Sequence, residues 1–217
     1  MPSPEATDRP LRRDAERNRQ RILEAAREVF ADQGIGATLD AVAVRAGVGV
    51  GTVYRRFPDK DALLDILFDE RIGELVGIAD ACLDEDDAWT GLCRFLEEAV
   101  ELQAGDRGLR DLVHHPERGR ERVRAAREQM VPRIAELLRR AQDAGAARAD
   151  LAHTDIGMTT LMLVTAIDST AGIRSDAWRR FLALAIDGLR ASPDAGALPG
   201  PPLNVDEFDE ALRTPRS

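Results

Sequence analysis

Apolar residues recur along this chain at intervals of three and four and nowhere in sustained alternation, so the pattern predicts an all-α protein. Ile22, Ala26, Val29 and Phe30 make a one-sided stripe in a helix over about 15–33, stopped by Gly34. Leu63, Leu64, Leu67, Phe68, Ile72, Leu75, Val76 and Ala79 hold the same spacing over 60–83. That is a rod of roughly 35 Å at 1.5 Å per residue, long enough to leave one small core and enter a second. Further helices are predicted over 88–103, around 109–114, over 117–144 with an interruption at Pro132, over 154–170 and over 176–191, with Gly, Pro and Asp at the junctions. From Pro193 onward five prolines among Asp and Glu predict a flexible acidic tail, with a brief helix over 205–213.

Residues 38–60 break the long-helix pattern and carry the most information. They read as two short helices joined by a tight glycine-containing turn, a helix-turn-helix suited to the DNA major groove. Thr38 is placed to accept from an unpaired amide of the first turn, and Asp40 adds negative charge at the positive end of the helix dipole. Ala43 is small where two crossing helices must touch. Gly47 supplies the left-handed backbone that ends the first helix, and Val42, Val44, Val48 and Val53 are available to close the core. The second helix is predicted over 50–57, because Pro58 disfavours helical backbone at Phe57, while Asp59 can cap a third helix beginning at Lys60.

On the second helix Val53 and Phe57 are four apart and face inward, leaving Val50, Gly51, Thr52, Arg55 and Arg56 as candidates for base edges. Arginine can grip both acceptors of guanine, and a valine can touch a thymine methyl. Thr38, Arg45, Tyr54 and Lys60 are better placed for the sugar-phosphate backbone. Gly49 and Gly51 each cost roughly 1 kcal/mol against Ala in a helix; they either admit close approach to DNA or leave the helix start to order on binding.

With Tyr54, Phe57, Lys60 and Leu63 added at three-residue spacing, the segment closely resembles the tetracycline-repressor (TetR) family of bacterial transcription regulators, from about residue 17 to 67. The resemblance implies an N-terminal three-helix DNA-binding domain and a C-terminal helical domain for effector binding and dimerisation. It also implies phosphate contacts from Tyr54 and Lys60, and repression as the usual outcome. The stretch 113–120, Val-His-His-Pro-Glu-Arg-Gly-Arg, resembles one actinobacterial branch of the family. The domain boundaries expected are a flexible basic arm over 1–14, the helix-turn-helix domain over 15–60, the effector and dimerisation domain over 61–192, and the tail over 193–217.

Two late helices differ from the others. Residues 156–167 are apolar nearly all round, and Trp178, Phe181, Leu182, Leu184, Ala185, Ile186 and Leu189 cover more than half of the last long helix. A helix apolar on every side is buried on every side, so the pair is predicted to clasp a second copy in a four-helix bundle. Leu161, Val164, Ile167, Trp178, Phe181, Leu182, Ala185 and Leu189 are the expected interface. By resemblance the same domain holds an effector cavity; Trp89, Phe95, Met130, Ile134, Met158, Met162 and Thr165 are candidate lining residues, with Arg94, Glu98, His114 and Asp168 as polar anchors. His114 and His115 would point about 100 degrees apart on a helix, a poor chelate, so no metal site is expected.

Charge divides the chain. Residues 9–60 carry eleven basic and seven acidic side chains, +4, which leaves −13 of the net −9 for everything else. Positive potential on the contact face is what DNA binding requires, so an acidic chain is compatible with it. Arg9, Arg12, Arg13, Arg17, Arg19 and Arg21 either form an arm reaching a phosphate or the minor groove, or begin a solvated helix. Lys60 is the single lysine among 30 basic residues, in a composition matching a high-GC bacterial genome.

Neither a membrane-spanning stretch nor a secretory leader is evident, and a cytoplasmic protein is expected. Cys82 and Cys93 read as small buried hydrophobes. An enzyme would need a converging nucleophile and base, metal ligands or a phosphate-cradling glycine loop; with three histidines and no strand-to-helix glycine turn, none is assembled, and no cofactor is expected. The expected function is that of a homodimeric transcriptional regulator binding double-stranded operator DNA and answering an unknown small-molecule effector. The alternative is control by a protein effector or by none.

Overall fold

The computed structural model describes the backbone of residues 5–114 and 120–213 and the side chains of residues 16–111 and 124–212. The described residues form α1 (Glu5–Gln33), α2 (Leu39–Ala46), α3 (Val50–Arg56), α4 (Lys60–Leu83), α5 (Ala88–Ala104), α6 (Arg107–His114), α7 (Arg120–Asp143), α8 (His153–Thr170), α9 (Trp178–Leu189) and α10 (Val205–Arg213). The β-type pairing recorded among them is an isolated bridge between Ala147 and Arg190. The chain divides into two compact units: residues 1–70 with 106–111, and residues 71–105 with 112–217. The division therefore falls ten residues later than the boundary expected at 60/61, and six residues distant in sequence join the N-terminal unit.

In the N-terminal unit, Ile22, Leu23, Ala26, Val29 and Phe30 of α1 meet Leu39, Val42 and Ala43 of α2, Val53 of α3 and Leu63, Leu64 and Leu67 of α4 in one buried core. Local chemistry fixes the ends of the short helices. Thr38 has extended backbone and its Oγ1 accepts from the Ala41 amide at 3.2 Å. Gly47 sits at φ 63°, ψ 37°, the left-handed conformation that lets its amide reach back to the α2 carbonyls. Phe57 turns extended ahead of Pro58, so α3 stops at Arg56. Asp59 Oδ1 then accepts from the Ala62 amide at 2.7 Å and starts α4. Val44 departs from expectation: it is 82% exposed on the outer side of α2, and Val42 and Val53 close the core without it.

The segment expected to be a flexible arm continues α1 as helical backbone from Glu5. The Ala, Arg and Glu of this stretch are strong helix formers, which favours that outcome over a loose arm. The side chains of Arg9, Arg12 and Arg13 lie outside the described residues.

In the C-terminal unit, Leu92, Phe95, Leu96, Ala99 and Val100 of α5 pack with Leu137, Leu138 and Ala141 of α7, Ile156, Leu163 and Ile167 of α8 and Trp178, Leu182 and Leu189 of α9. Helix α7 runs through Pro132, where an interruption is expected. Proline removes one donor and crowds the carbonyl four residues earlier, but Pro132 and Glu128 both lie on the exposed side, where a carbonyl that loses its helical donor is least costly. Gly145, at φ 68°, closes the end of α7. The tail also differs from expectation: α10 is folded against α8, its aromatic ring seated over Gly157.

Replacing Gly47 with Ala forces a Cβ into the left-handed region and is expected to lower stability by about 1–2 kcal/mol. Gly36→Ala, where an added Cβ meets nothing within 4 Å, is the control expected to be near neutral. Urea unfolding followed by helical circular dichroism measures both.

Candidate nucleic-acid interface

Helix α3 is short, and its two faces are sharply divided. Val53 is fully buried and Phe57, just past its end, nearly so, which pins one side of a helix that packs on α2. The other side carries Val50 at 38% exposure, Tyr54 at 50%, and Arg55 and Arg56, both exposed. Arg55 has no ion-pair partner among the described residues, so its guanidinium is available to an outside acceptor. Thr52 is half-buried. At Gly51 an added Cβ would meet nothing within 4 Å, so the fold itself does not demand glycine there. Gly49 caps the helix without a side-chain hydrogen bond.

Three of the four residues expected on the phosphate backbone have internal partners. Thr38 Oγ1 accepts within the α2 cap, which leaves its hydroxyl hydrogen free to donate. Arg45 reaches Glu28 at 2.8 Å and Asp32 at 3.8 Å, both on α1, so two carboxylates balance its charge while half of its side chain stays exposed. Lys60 donates to the Ile35 carbonyl at 2.5 Å and the Ala37 carbonyl at 3.2 Å, fastening the α1–α2 loop. Tyr54 is the member of the set that faces fully outward.

The sequence reading missed the rest of this fastening. Asp111 Oδ2 accepts from the Ile35 amide at 3.1 Å, and Gly108 lies so close to Phe30 that an added Cβ would stand 3.0 Å from its carbonyl oxygen. Arg21 Nη2 donates to the Ala46 carbonyl at 2.8 Å and ties α1 to the end of α2, so this member of the arginine run has a structural role. Nothing in local periodicity announces a contact across 76 residues; the close-packing glycine at 108 is the one available hint.

Residues 22–67 match the family profile described as bacterial regulatory proteins of the tetR family, and residues 87–191 match the C-terminal domain of SbtR-like transcriptional regulators. A solved TetR transcription regulatory protein from Mycobacterium vanbaalenii is 34% identical, with 83% of this chain and 99% of that one covered at a TM-score of 0.58. The chain belongs to the TetR family. A second TetR regulator, from Streptomyces coelicolor, is 26% identical over 80% of this chain and 99% of that one, at a TM-score of 0.57. An HTH-type transcriptional regulator of Staphylococcus aureus is 43% identical over 54 residues, which are 24% of this chain and 29% of that relative. That curated relative is thus matched over less than a third of its length. The TetR family is one of transcriptional regulators rather than enzymes, and α2 and α3 fall within the residues that match its N-terminal profile.

In this TetR chain the C-terminal candidates separate by burial. Trp89 and Phe95 are buried in the core, with the Arg190 guanidinium 4.7 Å from the Trp89 ring centre. Met130, Ile134 and Met158 are half-buried. Arg94 is held by Glu98 at 2.6 Å and Glu85 at 2.5 Å; both carboxylates raise its pKa, Glu98 foremost. Met162 and Thr165 do not line the interior: Met162 is 61% exposed and Thr165 is exposed, its hydroxyl donating to the Leu161 carbonyl. The His114 side chain and all of His115 lie outside the described residues.

The expected interface also separates. Val164, Ile167, Trp178, Leu182 and Leu189 are buried within the single chain, the last four in the core that α8 and α9 share with α5 and α7. Phe181 is exposed and Leu161 and Ala185 are half-buried; Met162 and Leu184 are further exposed apolar residues on the same two helices.

Among the described residues no helix is long and apolar enough to cross a membrane and no acidic, histidine and cysteine cluster could hold a metal. Burial pushes the Cys93 thiol up to about 11, with Glu97 adding to it, and burial likewise raises Cys82. A thiol is reactive as thiolate, so both cysteines are expected to react slowly with a thiol reagent at pH 8 and rapidly after denaturation. Substituting Lys60 with Met should cost about 1.5–3 kcal/mol, since it strands two loop carbonyls that a charged donor now satisfies. Chemical denaturation without DNA measures it.

Proposed function

We propose that this chain binds a near-palindromic double-stranded operator as a homodimer, with α3 in the major groove, and acts as a repressor released by a small molecule held in its C-terminal unit. The observation that carries the reading is the two-sidedness of α3. A helix that buries Val53 and leaves Val50, Tyr54, Arg55 and Arg56 in solvent is rigid on one side and open to a polyanion on the other. Arg55 and Arg56 are the base readers, with Val50, Gly51 and Thr52 approaching at the helix start. Tyr54 and Thr38 hold phosphates, each with a hydroxyl hydrogen to donate. Arg45 and Lys60 sit at the same edge, and their internal partners make them contributors of local potential as well as of direct contacts.

The dimer follows from the outward apolar face. Phe181, Leu184 and Met162 are large, apolar and more than 40% exposed. A cluster of this kind on one face marks an interaction surface. A two-fold partner places the same face against itself and brings two α3 helices to two half-sites. Each half-site alone binds weakly; joined, the second engagement is effectively intramolecular. Effector binding is assigned to the C-terminal unit, where half-buried Met130 and Ile134 border the core, Met158 is half-buried on α8, and methionine adapts its shape to a ligand. Repression is what results when a bound dimer overlies the start of transcription.

Genomic fragments selected on the purified protein supply an operator for titration by fluorescence anisotropy. Tyr54→Phe is expected to weaken binding to all sequences alike, whereas Arg55→Ala and Arg56→Ala should lower discrimination at particular base pairs by about 1–3 kcal/mol. Affinity unchanged in all three variants would end this reading. Phe181→Glu with Leu184→Glu should sediment as a helical monomer and bind the operator far more weakly; a dimer that persists would remove the assigned interface.

A further inference from the structure

Residues 192–212 lie beyond both family profiles, yet they are fastened to the helical body at several points. Arg148 Nη2 donates to the Gly196 carbonyl at 2.7 Å, and the Leu198 amide donates to Asp150 Oδ2 at 2.9 Å. Arg148 first, and the Leu198 amide second, hold the Asp150 carboxyl down to about 2. The Thr154 hydroxyl donates to the Leu203 carbonyl at 2.8 Å. Asn204 and Glu207 then cap α10 reciprocally, each side chain accepting the other's amide at 2.9 Å.

Helix α10 touches two helices at once. Its Phe208 ring lies flush on α8 at Gly157, where a Cβ would stand 2.6 Å from Cζ and 3.0 Å from Cε2. Glycine is disfavoured inside a helix, and here its missing side chain is the seat for the ring. From α7, Arg127 pairs with Asp209 and places its guanidinium 5.8 Å from the centre of the Phe208 ring. Arg127 and Asp209 are each about three-quarters buried, so this pair is shielded from solvent more than most surface pairs. The outward side of α10 is acidic, with Asp206, Glu207 and Glu210 exposed.

We infer that the tail is a strap that braces α7 against α8, joining Arg127 of one helix through Phe208 and Asp209 to Gly157 and Thr154 of the other. Flush seating on one helix alone would make the tail an appendage. Contact with both makes the position of α7 depend on whether the strap is docked. Arg127 lies in the first third of α7, the helix that follows α6, whose residues 107–111 belong to the N-terminal unit. The strap thus holds the first third of the helix that follows α6, and its release frees α7 to shift.

Hydrogen exchange of the full-length protein, read by mass spectrometry and independent of any DNA or effector, tests the brace. In Phe208→Ala, amides of 205–212 and of the first half of α7, 124–131, are expected to exchange about tenfold faster, while those of α9 keep their wild-type rates. Asp209→Asn, a milder change that leaves the ring in place, should give the same pattern at smaller amplitude. Faster exchange confined to 205–212 would show a passive appendage and overturn the inference, as would a wild-type tail that exchanges without protection. Should Phe208→Ala speed every helix alike, Asp209→Asn decides: acceleration in both 124–131 and 205–212 supports the brace, and any other distribution rejects it.

Discussion

Both backbone polar groups of one loop residue are occupied by side chains from elsewhere in the sequence: the Ile35 carbonyl accepts from Lys60 at the start of α4, and its amide donates to Asp111. Ile35 is itself buried, and a buried loop cannot leave its amide and carbonyl without partners. Those two side chains therefore decide how α1 hands the chain to α2, and with it how the helix pair is aimed. The Ala37 carbonyl, also on Lys60, extends the same constraint to the residue before the α2 cap. Val53 and Phe57 fix α3 to this frame by burial alone. The outward side chains of α3 are consequently carried on a helix whose other side is held to the frame.

Much of the fold was legible in the sequence wherever the deciding physics is local. Thr38, Gly47, Pro58 and Asp59 act on backbone within four residues of themselves, and α2 begins and ends, α3 ends and α4 begins where those residues direct. The three-four spacing of Leu63 to Ala79 was sufficient for α4 because packing follows the same period. Reading failed where the outcome depends on which of two apolar faces is covered. Met162 and Ile167 are equally apolar on paper, but one is open and the other is in the core. Pro132 misleads for a related reason: its effect on a helix depends on whether the freed carbonyl meets water. The docked tail was invisible because its seat is an absence, the missing side chain of Gly157.

The candidate site divides along the same line. Helical geometry alone separated the outward positions 50, 54, 55 and 56 from inward 53 and 57. Internal partners could not be read that way: Arg45 meets α1 carboxylates 13 and 17 residues before it, and Lys60 meets carbonyls more than 20 residues away. The C-terminal unit repeats the division between α8 and α9. One side of the pair completes the chain's own core, and Phe181, Leu184 and Met162 are the large apolar side chains left in solvent.

Lys60, the chain's single lysine, has its ammonium turned into the α1–α2 loop. An amine-directed reagent therefore finds one lysyl target in the molecule, shielded while that loop is closed and accessible once it opens. The protein carries a built-in reporter: the labelling rate of a single side chain follows the integrity of the N-terminal unit without any engineered probe.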